Sequence, residues 1–304
     1  MRARDFQAGT GSRPRRILVA VTGSAPAPPS WLDELVLRPG PPWLAMGVRT
    51  LDLEQWLVRD DRFAEEMALK GHLLATRHDE VFAAQPGCAD ASREVLGLIR
   101  AWLLAHPGVA PTVPPDPGLH PLDAAGRLVQ EDLCVLIAAD GRYRLEGASL
   151  CFPSHWRLHE KLGRSLAAIH DPVPHYAEEL AAKVDTFFDR LRMDRPVLRR
   201  NLSIHSHDEL FRPEPHESTA SFPTDPSGVD QVWLRSERQT LVRLATPGAV
   251  LFTIKTQQCP VTALRERPEI ARALAAKLRA EHDDLAATGA TIPFPLWLAG
   301  WLTR

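Results

Sequence analysis

Histidine and arginine crowd the stretch between residues 150 and 245, and their spacing suggests three kinds of chemistry. His155 and His159 stand four apart in a segment that reads as a helix, with Glu160 next, so both rings would leave one face. That spacing could hold a divalent metal, although the run is not H-E-x-x-H and no third ligand is evident. Two polar rings on a wet helix face is the simpler reading. His205 and His207 sit two apart at the end of a predicted strand and could chelate a mononuclear iron, or could mark a polar strand exit before the loop at 212–228. His170 follows the apolar run Leu166 to Ile169 and precedes Pro172-Val173-Pro174. A helix end pinned by a proline turn fixes where an imidazole points, as an axial haem ligand requires. A core histidine bonded to backbone would leave the same trace.

Arg199, Arg200, Arg235, Arg238 and Arg243 fall on or beside predicted strands. Guanidinium groups in a half-buried sheet need partners, either internal acids such as Glu131, Asp132 and Glu237 or the carboxylates of a ligand. The chain carries no G-x-x-x-x-G-K-[ST], no strand-linked G-x-G-x-x-G and no G-x-S-x-G, which removes support for phosphoryl transfer, an own dinucleotide site and an α/β-hydrolase. Cysteines 88, 134, 151 and 259 are scattered, so a disulfide framework, a local zinc site and an iron–sulfur cluster on this chain are not expected.

The elements that must position these groups emerge from a 304-residue chain with 44% hydrophobic and 24% charged residues and a net charge of -2. That balance is globular and gives no reason to expect nucleic acid or anionic lipid as partner. No run approaches the ~20 apolar residues of a membrane span, and the arginine-flanked run Ile17 to Val21 is short for a secretory signal, so a cytoplasmic protein is expected. We read 1–42 as an N-terminal extension, 43–120 as a helical region packed on the core, and 121–304 as the core with a C-terminal helix. Asp52, Asp60 and Asp90 are candidate helix caps, and Val95, Ile99 and Trp102 mark one buried stripe. After a proline-rich stretch at 107–121, an apolar run at 133–137, Asp140-Gly141 and the alternation from Tyr143 to Phe152 predict a hairpin. A helix from Ser154 to about Arg164, a short turn ending at His170 and a helix over 176–192 follow. Strands are then expected at 197–205, 230–238 and 248–257, and a last helix at 268–287. The expectation is an α+β fold: a PAS-like antiparallel sheet with flanking helices, preceded by a helical N-terminal region.

Several runs together resemble the haem-dependent oxidative N-demethylase family. They are Val129-Gln-Glu-Asp-Leu133, Leu150-Cys-Phe-Pro-Ser154 with Trp156, Lys161-Leu-Gly163, Ile169-His-Asp-Pro-Val-Pro174, and Glu237-Arg-Gln-Thr-Leu241 with Leu251-Phe-Thr-Ile254. Met46-Gly-Val-Arg-Thr-Leu-Asp52 with Trp56 fits its opening block. The resemblance implies a haem b monooxygenase subunit, similar to that of a dimethylamine monooxygenase, that uses dioxygen to demethylate a small secondary amine with release of formaldehyde. Electrons would come from NADPH through flavin and a [2Fe–2S] centre on partner reductase subunits, and an additional mononuclear iron is implied. On this reading His170 is the axial ligand, with His175 and His159 as alternates. Arg238 and Arg235 meet the propionates, Lys161 and Trp156 help to bind the cofactor, and Glu131 and Asn201 are catalytic polar groups. The chain departs from the pattern at Leu202, where the family usually has tryptophan, and at Leu244-Ala-Thr-Pro-Gly248. A haem or small-ligand sensor, or a non-haem iron enzyme built on His205 and His207, are the alternatives.

Overall fold

The computed structural model describes residues 28–37, 47–108, 118–170, 181–214, 221–288, 292 and 294–304. Chain order begins with β1 (Arg49–Thr50), α1 (Phe63–Thr76), α2 (His78–Val81), β2 (Phe82–Ala84), α3 (Ala89–Ala105) and α4 (Pro121–Gly126). The hairpin of β3 (Asp132–Ala139) and β4 (Arg142–Ser149) follows, then three short helices, α5 (Leu158–Lys161), α6 (Leu166–His170) and α7 (Ala181–Asp189). The remaining elements are β5 (Val197–His205), β6 (Trp233–Arg243), β7 (Ala249–Pro260), α8 (Pro268–Thr288) and α9 (Leu298–Trp301).

All seven strands join one antiparallel sheet in the order β1-β5-β6-β7-β3-β4-β2. The α+β expectation, with its helical N-terminal region, therefore holds. The hairpin turns where the sequence says it should, because Asp140 and Gly141 both take positive φ, 52° and 72°, the geometry that matches strand twist in a two-residue loop.

Pairing register sorts the side chains of this sheet into two faces, since directly paired residues point the same way and neighbours alternate. Leu133, Val135, Leu198, Val242 and Leu251 lie on the first face, packed under α3 and α4, and Leu234 and Cys259 extend it beneath α8 and α9. Cys134, Leu136, Leu241, Val250 and Ile254 lie on the second face, covered by α5, α6 and α7 through Leu158, Leu166 and Phe188. The structure is thus three layers, helices on both sides of the sheet.

Four expectations change. The helix over 154–164 shrinks to α5, because His155 takes φ 61° and its N–H donates to Arg212 O at 2.7 Å, which pins the chain before Leu158, while Gly163 at φ 75° turns it afterwards. β6 runs to Arg243 rather than 238, since its polar residues alternate between two covered faces. Inside the expected helical region, β1 and β2 extend both edges of the sheet. Within the expected N-terminal extension, Trp31 and Leu32 are buried against α8 and α9.

Candidate functional site

The two faces divide the candidate residues. Glu131 and Arg238 belong to the first. Arg238 donates to Trp56 O at 2.8 Å and also to Gln55 O, and is 3% exposed. Glu131 accepts the Val58 N–H at 2.8 Å through one carboxylate oxygen, while the other, fully enclosed, has no partner. Burial raises its pKa, outweighing that hydrogen bond and the attraction of Lys255 and Arg238.

Around them stands a charged network that the sequence reading missed. The Lys255 ammonium, wholly buried, lies 2.6 Å from Glu66 Oε2 and 3.0 Å from Asp60 Oδ2. Gln130 ties the same two carboxylates together, donating at 2.6 and 2.7 Å. Lys70, equally buried, donates to Val129 O and Glu131 O. Burial raises the pKa of Glu66 despite Lys255. At Asp60 burial pulls the same way, but Lys255 with hydrogen bonds from Gln130 and the Arg62 N–H wins and lowers it. A signal for this was available: two of only five lysines in the chain fall among apolar residues, Leu69 and Ile254, where an internal acid must answer them.

The second face gathers the other candidates. By register Arg199, Asn201, Ser203 and His205 of β5 stand beside Gln239, Glu237, Arg235 and Trp233 of β6, and these beside Ile254, Thr256, Gln258 and Pro260 of β7. Lys161 places its ammonium 4.8 Å from the centre of the Trp156 ring. Its pKa is lowered, by burial first and then by Arg164, with Glu237 opposing. Asn201 is exposed on this face. Arg235 is wholly buried and donates to Phe152 O, Leu210 O, Glu209 O and Pro153 O, so both terminal nitrogens serve as a strap between two loop segments. The two arginines expected at propionates thus spend their terminal N–H groups on backbone carbonyls. Of the others, Arg200 bonds Glu34 and Gln257, and Arg243 bonds Leu191 O, Phe188 O and Tyr143 Oη.

Two side chains that sequence reasoning passed over are the most informative here. Thr256 is 1% exposed and Gln258 7%, and neither the Thr256 hydroxyl nor either amide atom of Gln258 has a hydrogen-bond partner. Two apart on β7, they point to the same face. Native interiors rarely leave such atoms unpaired, because an unmet buried donor or acceptor costs about 1–3 kcal/mol.

The histidines sort differently from the sequence expectation. His159 is exposed on α5, whereas His155 leaves it and stacks on His205, ring centres 5.3 Å apart, with His207 edge-on to His205 at 5.5 Å. Ser203 Oγ lies 2.8 Å from His205 Nε2. Burial, with Arg235 adding to it, lowers the His205 pKa to about 2. Although three imidazoles meet, among the described residues no three His, Cys, Asp or Glu side chains stand where they could hold a metal ion. His170 closes α6, which packs on the second face through Leu166 and Ile169; its side chain and the whole of His175 lie outside the described residues. The four cysteines are buried free thiols, and burial pushes Cys151 and Cys259 up to about 12, so they stay protonated at neutral pH. Among the described residues no helix is long and apolar enough to cross a membrane.

Unmet polar atoms beside an apolar wall make the second face one where this fold could take a ligand, and the elements that build it lie within a match to a known family. Residues 47–109 and 108–288 match the family described as haem-dependent oxidative N-demethylase, alpha subunit-like. The match runs through the helical region, the whole sheet and α8, and the chain belongs to this family.

Proposed function

We propose that the chain is the haem b oxygenase subunit of an oxidative N-demethylase acting on a small secondary amine such as dimethylamine, with the haem on the second face of the sheet. The observation that carries this reading is the pair Thr256 and Gln258, buried and unpaired on the face where α6 ends in His170. The order of the five central strands, β4-β3-β7-β6-β5, with α5 to α7 inserted before β5, supports the PAS-like architecture.

The residues present fit the group. Leu241, Val250, Phe252 and Ile254 offer an apolar wall, Thr256 and Gln258 offer hydrogen bonds to its polar edge, and Lys161 offers a cation for a carboxylate. His170 remains the axial candidate, and Asn201, exposed on the same face, is the polar group proposed to meet an entering amine. Arg235, Arg238 and Glu131 are assigned to the scaffold instead. When bound, the haem supplies the activation of dioxygen. The balance is dimethylamine plus O₂, two electrons and two protons giving methylamine, formaldehyde and water. The protein's part is to exclude water from the apolar wall and to hold the amine by neutral polar groups. Both electrons must come from outside, in keeping with a family named for one subunit, and NADPH, flavin and [2Fe–2S] on a reductase partner would supply them. The described donors do not fit an additional iron, and no step is routed through one. Four buried free thiols suit a cytoplasmic setting.

Reconstitution with haemin tests the reading. A Soret band that moves in His170→Ala, and formaldehyde from dimethylamine with a surrogate reductase, are expected. A Soret band without turnover would indicate a sensor, and no band would overturn the haem assignment.

A further inference from the structure

A surface cleft of about 380 Å³ opens where the segment after α7 meets the β1–β5 edge of the sheet. Among the described residues Arg49, Arg190, Arg192 and Arg195 line it, all exposed, and no acidic residue does. Glu34 pairs with Arg49, and Asp194 takes a two-pronged bond from Arg192 while also standing in the field of Arg195. Four guanidinium groups against two carboxylates leave a local surplus of two positive charges, on a chain whose net charge is -2. The floor is apolar, and its members have a second role. Phe187, Leu191 and Val197 line the cleft and also pack into the cluster that covers the second face. These three side chains therefore belong both to the cleft and to the layer that covers the second face.

A positive field beside side chains that also cover the second face is suited to guiding an acidic redox protein to the side of the sheet where the haem is proposed. We infer that this cleft is the docking face for an acidic electron-donating partner. The inference rests on the reading of the second face as the haem chamber. Each encounter oxidises a reduced [2Fe–2S] centre on the partner by one electron and reduces the acceptor behind Phe187 by one, so two encounters supply the two electrons that one turnover consumes.

A plant-type [2Fe–2S] ferredoxin, a strongly acidic one-electron donor, serves as the probe, with the haemin-reconstituted full chain and its Arg190→Glu/Arg195→Glu variant. At about 10 mM salt the variant should bind ferredoxin at least tenfold more weakly and be reduced by it correspondingly more slowly. At about 0.5 M salt, where the Debye length is only a few ångströms, the difference should vanish. Haem content, Soret position and reduction by dithionite should not change, and Arg190→Lys/Arg195→Lys should behave as the wild type. Equal binding by the wild type and the Glu variant, or no binding by the wild type at low salt, overturns the docking face. Loss of haem in the Glu variant also overturns it, because the cleft would then hold the cofactor itself. A wild type that shows no Soret band, yet binds ferredoxin with the same salt and charge dependence, would leave the docking face standing and remove the haem reading.

Discussion

On the first face of the sheet, Lys255 lies 2.6 Å from Glu66 and 3.0 Å from Asp60, and Gln130 closes the ring between the two acids. On the second face the next residue of the same strand, Thr256, and then Gln258 are as thoroughly enclosed but bond nothing. One strand thus carries two opposite solutions to buried polarity. Around Lys255 the charges answer one another and hold the helical region to the sheet, although Glu131 Oε2 nearby has no partner. Where hydroxyl and amide are left open, the proposed haem would supply their partners.

This contrast can be broken most forcefully at Lys255. Lys255→Met strands Glu66 and Asp60 without their cation, and about 3–5 kcal/mol of stability should disappear in urea unfolding, with Glu66→Gln in the same chain restoring part of it. A stability loss below about 1 kcal/mol would show that the network does not hold the two layers together. The next effect is on pH. His205 stays neutral in the folded protein down to about pH 2, while in the unfolded chain it takes up a proton below its ordinary value of 6.5. Its contribution is therefore complete above pH 6.5 and falls by about 1.4 kcal/mol per pH unit as acid is added. Melting curves of His205→Gln should lack that slope, and an unchanged slope would assign it to other groups. Glu131 works in the other direction. Because burial raises its folded pKa, stability is lost as pH rises from the ordinary carboxylate range, so Glu131→Gln should melt higher at pH 8 and match the wild type near pH 4. A lower melting point at pH 8 would mean that the charge is needed. The open pair should shift stability the other way: Thr256→Val and Gln258→Met remove buried atoms that bond nothing, so ligand-free stability should equal or exceed that of the wild type, and a clear loss would mean that these atoms are paired.

Much of the fold was legible because local chemistry and tertiary packing agree. Asp140-Gly141 sets its own turn, the span of β5 is read directly, and the apolar spacing of Ile270, Leu274 and Leu278 brackets α8. The failures occur where a distant segment decides. Ser154 and Leu158 look like the start of a helix, but His155, bonded to Arg212, takes a positive φ that no helix allows. Phe82 to Ala84 carry no strand signal of their own and become β2 because β4 offers them an edge. The candidate residues could be named from the sequence, but not their arrangement. Residue types picked out Trp156, Lys161, Asn201 and Arg235 on one face, yet nothing in the spacing separates them from Glu131 and Arg238 on the other. Even-numbered and odd-numbered residues of β6 look equally polar until both faces are covered. Thr256 and Gln258 gave no signal at all, since their importance lies in what fails to meet them.

The direct test of the two-face account is a haemin titration of the Thr256→Val/Gln258→Met protein beside the wild type, followed at the Soret band. The account predicts a folded variant whose ligand-free melting temperature is no lower than the wild type's and that takes up haemin roughly tenfold more weakly or worse, as the loss of two hydrogen bonds to the bound group requires. Identical titration curves would mean that the open atoms of β7 do not face the cofactor, and the second face would no longer be its site.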